Sequence, residues 1–224
     1  MKIVGISASG RRDGNTSRLV RYIMNKMSEY GAESEMIEAA DMDLRFCTAC
    51  ENCMSKGFCV IDDGYRPAME KIKAADGIIL GSPNYSFNMS AQMKTLFDRS
   101  HMLLYYMRAL RGKYGIGVSV GGHPYRTDLV AKMLSQGAWL CGGYTVGRIC
   151  AVSRDRDDRE FLDAEKVYAN ADALALKFYK AINGKKRYFF QNMLRKFTLE
   201  PALRRMAMSK KEKYPFLYDF YGKL

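Results

Sequence analysis

Residues 2–30 read KIVGISASGRRDGNTSRLVRYIMNKMSEY, and this stretch decides the fold. Lys2 to Ala8 is a β-branched, apolar run that stops at a Ser, Gly and Arg cluster, the pattern of a buried strand entering a loop. From Asn15 to Tyr30, Leu19, Val20, Ile23, Met24 and Met27 recur at helical spacing, with Asn15 or Thr16 as the N-cap and Gly31 as the stop. Strand, loop and helix are therefore the opening unit. Ser34 to Ala39 reads as a second strand, and Asp41 to Gly64 as a cysteine-bearing excursion without a clear period, long enough to need a functional reason. Alternation then resumes: a helix over Tyr65–Ala74, a strand over Gly77–Ser82, a helix from Ala91 to about Met107, a strand over Tyr114–Val120, a helix over Arg126–Leu140, a strand over Tyr144–Val152 and a helix over Asp157–Ile182. Strands and helices in alternation require right-handed crossovers, so the fold class is α/β, with a parallel sheet of five strands covered by helices on both faces.

At 224 residues, with 48% hydrophobic and 27% charged side chains, the chain has the composition of one globular core, which excludes intrinsic disorder and collagen-like repeats. Its apolar runs are far too short to span a bilayer. The N-terminus places arginines after a short apolar run, the wrong order for a signal peptide, so a cytoplasmic location is expected. In that compartment clustered cysteines read as metal-binding or catalytic rather than disulfide-bonded. The formal charge of +12 raises the question of a polyanionic partner. Residues 184–224 carry 11 Lys and Arg against 3 acids, so the body over 1–183 is nearly balanced. That basic, aromatic C-terminal extension is expected to be helical and to pack on a neighbouring subunit; anionic-surface binding is the weaker reading, with no specific nucleic acid indicated.

Three loops fall at the C-terminal ends of strands, where open α/β sheets bind ligands. The first, Ser7 to Ser17, is rich in hydroxyls and glycine and feeds a helix N-terminus, an anion site by its free amides and dipole. It lacks both GK[ST] and GxGxxG, so a single phosphate held by Ser9, Asn15, Thr16 and Ser17 is its natural occupant, against the plainer reading of an ordinary capped loop. The second, Ser82 to Ser90, sets Tyr85, Phe87 and two asparagines after a strand, either to stack on a flat ring or to cap the core. The third, Ser119 to Tyr125, has paired glycines that allow close approach of a planar ligand or simply make a turn. His123 reads as a solvent-facing loop residue.

GISASGRRDGNTSRL, GIILGSPNYSFNMSAQMKTLFDR and the Gly-Gly loop resemble the NADPH-dependent FMN reductase group of flavodoxin-like flavoproteins and, with the cysteines, its iron-sulfur flavoproteins. The resemblance covers about Met1 to Val152. It implies a flavodoxin-like, doubly wound sheet in the order 2-1-3-4-5, with FMN at the switch point. Carried over by position, the phosphate falls to Ser7, Ser9, Arg11, Asn15, Thr16 and Ser17. The ring falls to Pro83, Asn84, Tyr85, Ser86, Phe87 and Asn88, with the pocket completed by Ser119, Gly121 and Gly122.

Cys47, Cys50, Cys53 and Cys59 form a CxxCxxCxxxxxC run, four thiols within 13 residues. The run suits a [4Fe-4S] cluster, which the resemblance supports; a tetrahedral zinc site and a metal-free loop are the alternatives. Cys141 and Cys150, on or beside the fifth strand, read as core cysteines. The helix after the ring segment is apolar nearly all round through Met102, Leu103, Leu104, Tyr105, Tyr106 and Met107, and relatives imply that it builds a homodimer or homotetramer. His101 there reads as a packed or interface residue. The expected function is an FMN-dependent oxidoreductase coupling a [4Fe-4S] cluster to FMN, with ferredoxin or NAD(P)H as donor, a quinone, an oxygen species or a redox protein as acceptor, and no catalytic side chain required. The alternatives are a cluster-free NAD(P)H-dependent FMN or quinone reductase and a zinc-stapled binding module with a basic tail.

Overall fold

The structure, a computed structural model, describes residues 1–100, 106–154 and 160–223. Strands β1 (Lys2–Ser7), β2 (Glu33–Glu38), β3 (Gly77–Tyr85), β5 (Tyr114–Gly121) and β6 (Tyr144–Val152) form one parallel sheet in the order β2-β1-β3-β5-β6, and the two-residue β4 (Asn88–Met89) pairs back on β3. Counting only the parallel strands, this is the expected 2-1-3-4-5 order. Its logic is chemical: β1, β3 and β5 are buried on both sides, and their residues are near-continuously apolar, as strands between two helical layers must be.

One face is covered by α1 (Asn15–Glu29) and α6 (Ala164–Asn183), which pack Leu19, Val20, Ile23 and Phe178 against Ile3, Ile116 and Val118. The other is covered by α3 (Tyr65–Ala74), α4 (Ala91–Ser100) and α5 (Thr127–Leu140), where Tyr65, Met69, Met93 and Leu134 meet Val4, Ile6 and Ile78. The glycines of β5 have a packing cause: a Cβ on Gly117 would lie 2.1 Å from Ala131 O, so only glycine lets α5 approach this closely.

Several boundaries differ from expectation. Gly14, not Asn15 or Thr16, is the N-cap of α1. Strand β3 runs three residues beyond Ser82 and turns into β4, so Pro83, Asn84 and Tyr85 are strand residues. The helix expected to reach Met107 is described to Ser100, and Met107 lies in a turn; residues 101–105, which include His101, Met102, Leu103, Leu104 and Tyr105, lie outside the described residues. The last sheet-covering helix starts at Ala164 rather than Asp157, which lies outside the described residues; Phe161 instead bridges Ser153. Cys141, at the end of α5, is half-buried against the second core layer, and burial pushes its thiol up to about 12. Cys150 is not a core residue: β6 is the sheet's edge strand, and this side chain points out.

The extension folds back on its own chain. Helices α7 (Phe189–Leu194), α8 (Glu200–Met208) and α9 (Pro215–Gly222), with one π-helical stretch over Arg195–Leu199, make a third cluster of Leu203, Ala207, Tyr214, Leu217 and Tyr221. Among the described residues, no helix is long and apolar enough to cross a membrane.

Candidate functional site

The loop after β1 is built by its own short-range bonds. Ser9 Oγ accepts from Arg11 N at 3.1 Å, and Gly14 N donates to Arg11 O at 3.1 Å. Among the described residues no side chain caps α1, so its first-turn amides open onto the loop, an arrangement suited to an anion. Thr16 is buried at this end, Asn15 is half-buried and Arg11 is exposed beside it. Ser7 and Ser17 lie beneath the loop: their hydroxyls are 2.7 Å apart, and Ser17 Oγ donates to Glu38 Oε2 at 3.0 Å. Burial pushes the Glu38 carboxyl up, against the pull of Ser17, Arg21 and Ser7. Glu38 thus fixes the two serines from the end of β2. A glutamate ending a strand next to solvent carries no signal of this in the sequence.

Strand β3 continues the site as a hairpin. Ser86 (φ 48°) and Phe87 (φ 66°) both take the left-handed conformation, the turn that a two-residue connection needs and that residues other than Gly, Asn and Asp adopt at a cost of about 1 kcal/mol or more each. The strain holds two rings out of the core: Tyr85 is 50% and Phe87 57% exposed, and Phe87 stacks edge-on against Tyr125 at 5.3 Å between centroids. Core capping by Tyr85 and Phe87 is therefore overturned. Asn84 Nδ2 donates to Tyr125 O and to Thr127 Oγ1, each at 3.0 Å, while its Oδ1 is buried with no partner among the described residues. Asn88 turns its own Oδ1 onto Met89 N at 2.8 Å.

The third loop closes against the second. A Cβ on Gly121 would sit 2.5 Å from Thr127 Oγ1 and 3.3 Å from Asn84 Cβ, whereas one on Gly122 would meet nothing within 4 Å. Gly121 is small to admit its neighbours, and Gly122 faces open space. Ser119 is fully buried with its hydroxyl unpartnered among the described residues. His123 is exposed, as expected. Ser90 Oγ rivets the assembly, donating to Ala8 O at 2.7 Å and accepting from Met93 N at the start of α4. Asn15 Nδ2 donates to Ser153 Oγ at 2.7 Å, joining the first loop to the end of β6. Ser90 and Ser153 were not legible as site residues, since each acts through tertiary contacts.

The cysteines lie on a separate segment containing the five-residue α2 (Asn52–Lys56), in which no residue is fully buried. Cys47 and Cys50 are exposed, Cys53 and Cys59 half-buried. The thiols sense one another: burial, then the charges of Cys59, Cys50 and Cys47, push Cys53 up to about 11. Among the described residues, no three His, Cys, Asp or Glu side chains converge on one point. The donor set suits a thiolate-bound centre, and binding one would draw the four sulfurs together.

Two anchors hold this segment. Arg99, at the end of α4, pairs with Asp63 with both side chains buried, donates to Cys59 Sγ at 3.3 Å, Ile61 O at 3.3 Å and Arg45 O at 3.2 Å, and lies over the Tyr65 ring at 4.4 Å. Burial opposes charge on Asp63, but hydrogen bonds from Arg99, Arg45 and Tyr65 outweigh it and hold the carboxyl below its ordinary value. The second anchor is the C-terminal extension. Lys213 Nζ pairs with Glu51 at 2.6 Å, Ser55 Oγ donates to Lys213 O at 2.9 Å, and the Phe216 ring lies where a Cβ on Gly57 would be.

A flavodoxin-like sheet, an uncapped helix end, two exposed rings at the third strand and a cysteine segment docked on the following helix together define a class, the small flavodoxin-fold proteins. Residues 1–157 match the family NADPH-dependent FMN reductase, and the chain belongs to it. The match ends before the extension. An iron-sulfur flavoprotein of Methanocaldococcus jannaschii is 47% identical over 121 residues, 54% of this chain; the chain spans only 62% of that relative's length. One of Archaeoglobus fulgidus is 36% identical over 152 residues, covering 66% of this chain and 68% of the relative. A solved structure titled "flavone reductase" superposes with a TM-score of 0.63 at 20% identity, covering 82% of this chain and 63% of that one, a likeness of fold.

Proposed function

We propose that the chain is an FMN-dependent oxidoreductase that couples a [4Fe-4S] cluster to FMN. The observation that carries this reading is the docking of the two sites on one helix. Ser90, which is tied to the anion loop, immediately precedes helix α4, and Arg99, in the last turn of that helix, donates to Cys59. Ten residues of helix are about 15 Å, a short path between the two sites. When bound, FMN exchanges electrons singly or as a hydride and the cluster exchanges them singly, a pairing that bridges one- and two-electron carriers.

Every other part is positioning. The amides at the head of α1, with Ser9, Asn15, Thr16 and Arg11, hold the phosphate, while Ser7 and Ser17 stiffen the loop from below. Pro83 to Asn88 face the ring, the buried Asn84 Oδ1 and Ser119 hydroxyl being unpaired groups that fit a polar ring edge; Gly121 and Gly122 leave room for it. Cys47, Cys50, Cys53 and Cys59 are the cluster ligands. NAD(P)H or ferredoxin serves as donor, and the protein works in the cytoplasm as a homodimer or homotetramer.

The names of the M. jannaschii and A. fulgidus relatives support the cluster. A second reading, a cluster-free NAD(P)H-dependent FMN or quinone reductase, is favoured by the exposure of Cys47 and Cys50 and by the family's name. Absorption of anaerobically purified protein, with iron, sulfide, zinc and flavin assayed on the same sample, separates them. Flavin bands on a broad iron-sulfur shoulder with matching iron and sulfide establish the first reading, and flavin alone the second. A colourless, zinc-bearing sample would overturn both.

A further inference from the structure

The flavin-side loops lie at the C-terminal ends of the strands, and a second polar cavity lies at the opposite edge of the sheet. It has a volume of about 260 Å³, and its wall includes Gly112 and Gly142, which precede the first residues of β5 and β6. Among the described residues, four cations line it, Arg108, Arg111, Arg195 and Lys196, against one acid, Glu200. Three positive charges are therefore uncompensated within the wall.

Two of these cations are deeply buried, Arg108 at 8% and Arg195 at 3% exposure. Their known bonds use only the terminal nitrogens: Arg108 Nη2 pairs with Glu200 at 2.6 Å, and Arg195 donates to Gly142 O at 2.7 Å and to Gly143 O. The Nε of each is buried with no partner among the described residues. Buried guanidinium groups are ordinarily fully bonded, and two incompletely bonded ones beside one cavity leave positive charge there for an anion to balance. Burial lowers the pKa of both arginines; Glu200 and the rings of Trp139 and Tyr144 offset part of this, while Arg111 acts against the charge of both and Arg108 against that of Arg195. The backbone is also spent on this arrangement. Arg108 sits at φ 52°, in the left-handed region, against Gly142, and Arg195 opens the π-helical stretch; both features cluster at functional sites.

We propose that this cavity is a second anion site, built for a phosphate group and separate from the loop at the head of α1. Guanidinium forks match phosphate oxygens in geometry and charge, and they do so best out of water. The cavity is at the small end for a ligand pocket, which suits a phosphate or pyrophosphate group more than a whole nucleotide. The proposal does not rest on the flavin reading.

The test is calorimetric titration of the FMN-loaded protein with sodium pyrophosphate, the flavin's own phosphate keeping the first loop filled. Saturable one-site binding is expected. It should weaken about tenfold or more when Arg111→Ala and Lys196→Ala are combined, two exposed positions whose loss leaves the buried arginines and the flavin content in place. Unchanged affinity in that double variant, or heats no larger than dilution, overturns the proposal. Cosedimentation with phosphatidylglycerol in phosphatidylcholine vesicles identifies the source of the phosphate. Vesicle binding lost in the double variant assigns it to a lipid headgroup, and pyrophosphate binding without vesicle binding assigns it to a free phosphorylated molecule.

Discussion

The anion loop and the cysteine segment are both irregular stretches that follow a strand, yet they are held in opposite ways. The loop is tied largely by partners within ten positions of one another, Ser7 with Ser17, Ser9 with Arg11 and Gly14 with Arg11, above a strand buried from Ile3 to Ser7. The cysteine segment has one short helix with nothing fully buried, and its rigidity comes from Arg99, 40 positions beyond Cys59, and from Lys213, 158 positions beyond Ser55. A ligand site made by one strand-loop-helix unit comes with its own stability. A site on a segment without a core takes its stability from whatever docks on it, and so it fails first when a distant residue is lost.

The sharpest way to break this contrast is Arg99→Ala. It leaves Asp63 buried without its cation, a loss of about 3–5 kcal/mol, and removes the donor to Cys59. Urea unfolding should show the destabilisation, and iron reconstitution should fall while flavin binding to the residual folded protein persists. Flavin and iron lost in parallel would mean that the two regions are one cooperative unit. The next largest effect is expected from Leu217→Ala, which opens a cavity in the third cluster at a cost of about 2–5 kcal/mol. Limited proteolysis should then cut within residues 41–64 before any flavin is released. An unchanged cleavage pattern would detach the extension from the cysteines.

The same contrast explains what the sequence reveals. The alternation of strands and helices follows from periodicity and the glycine- and hydroxyl-rich first loop from local composition, which is where their physics lies, whereas the sheet order comes from the family resemblance. The hairpin at Ser86–Phe87 was hidden because neither residue is one that the left-handed turn favours, and Gly14 is the cap because Asn15 already has helical backbone, its side chain reaching to Ser153. Arg99 and Glu38 carry no local signal in the sequence. Their roles depend on burial against segments distant in the chain. Cys150 misled for the converse reason: its strand is apolar enough for the core, but as the edge of the sheet it keeps one side open.

Two carboxylates, one under each region, give the contrast a pH signature. Asp63 is held below its ordinary value, so its contribution is fully present above that value and is lost as pH falls through the folded pKa. Glu38 is pushed above its ordinary value, so its contribution is present at low pH and is lost as pH rises through the folded pKa. Acid should therefore loosen the cysteine segment while leaving the anion loop as firm or firmer. Unfolding free energies between pH 3 and 7 should show a shallower acid loss in Asp63→Asn than in the parent, and a steeper one in Glu38→Gln. Equal acid slopes in all three proteins would place the acid sensitivity elsewhere.

The smallest effect, and the most selective, is expected at the loop itself. Asn15→Ala removes the bond to Ser153 Oγ and one polar side chain at the head of α1, but leaves the amides and the underlying Ser7, Ser17 and Glu38 in place. A single hydrogen bond of this kind is worth about 1 kcal/mol, so FMN affinity should drop about fivefold by fluorescence titration. Iron content should not change, because Arg99 and the extension, which hold the cysteines, make none of their described contacts with Asn15. Combining Asn15→Ala with Leu217→Ala sharpens the point: effects on flavin affinity and on proteolysis that add without interaction are what two separately held regions require.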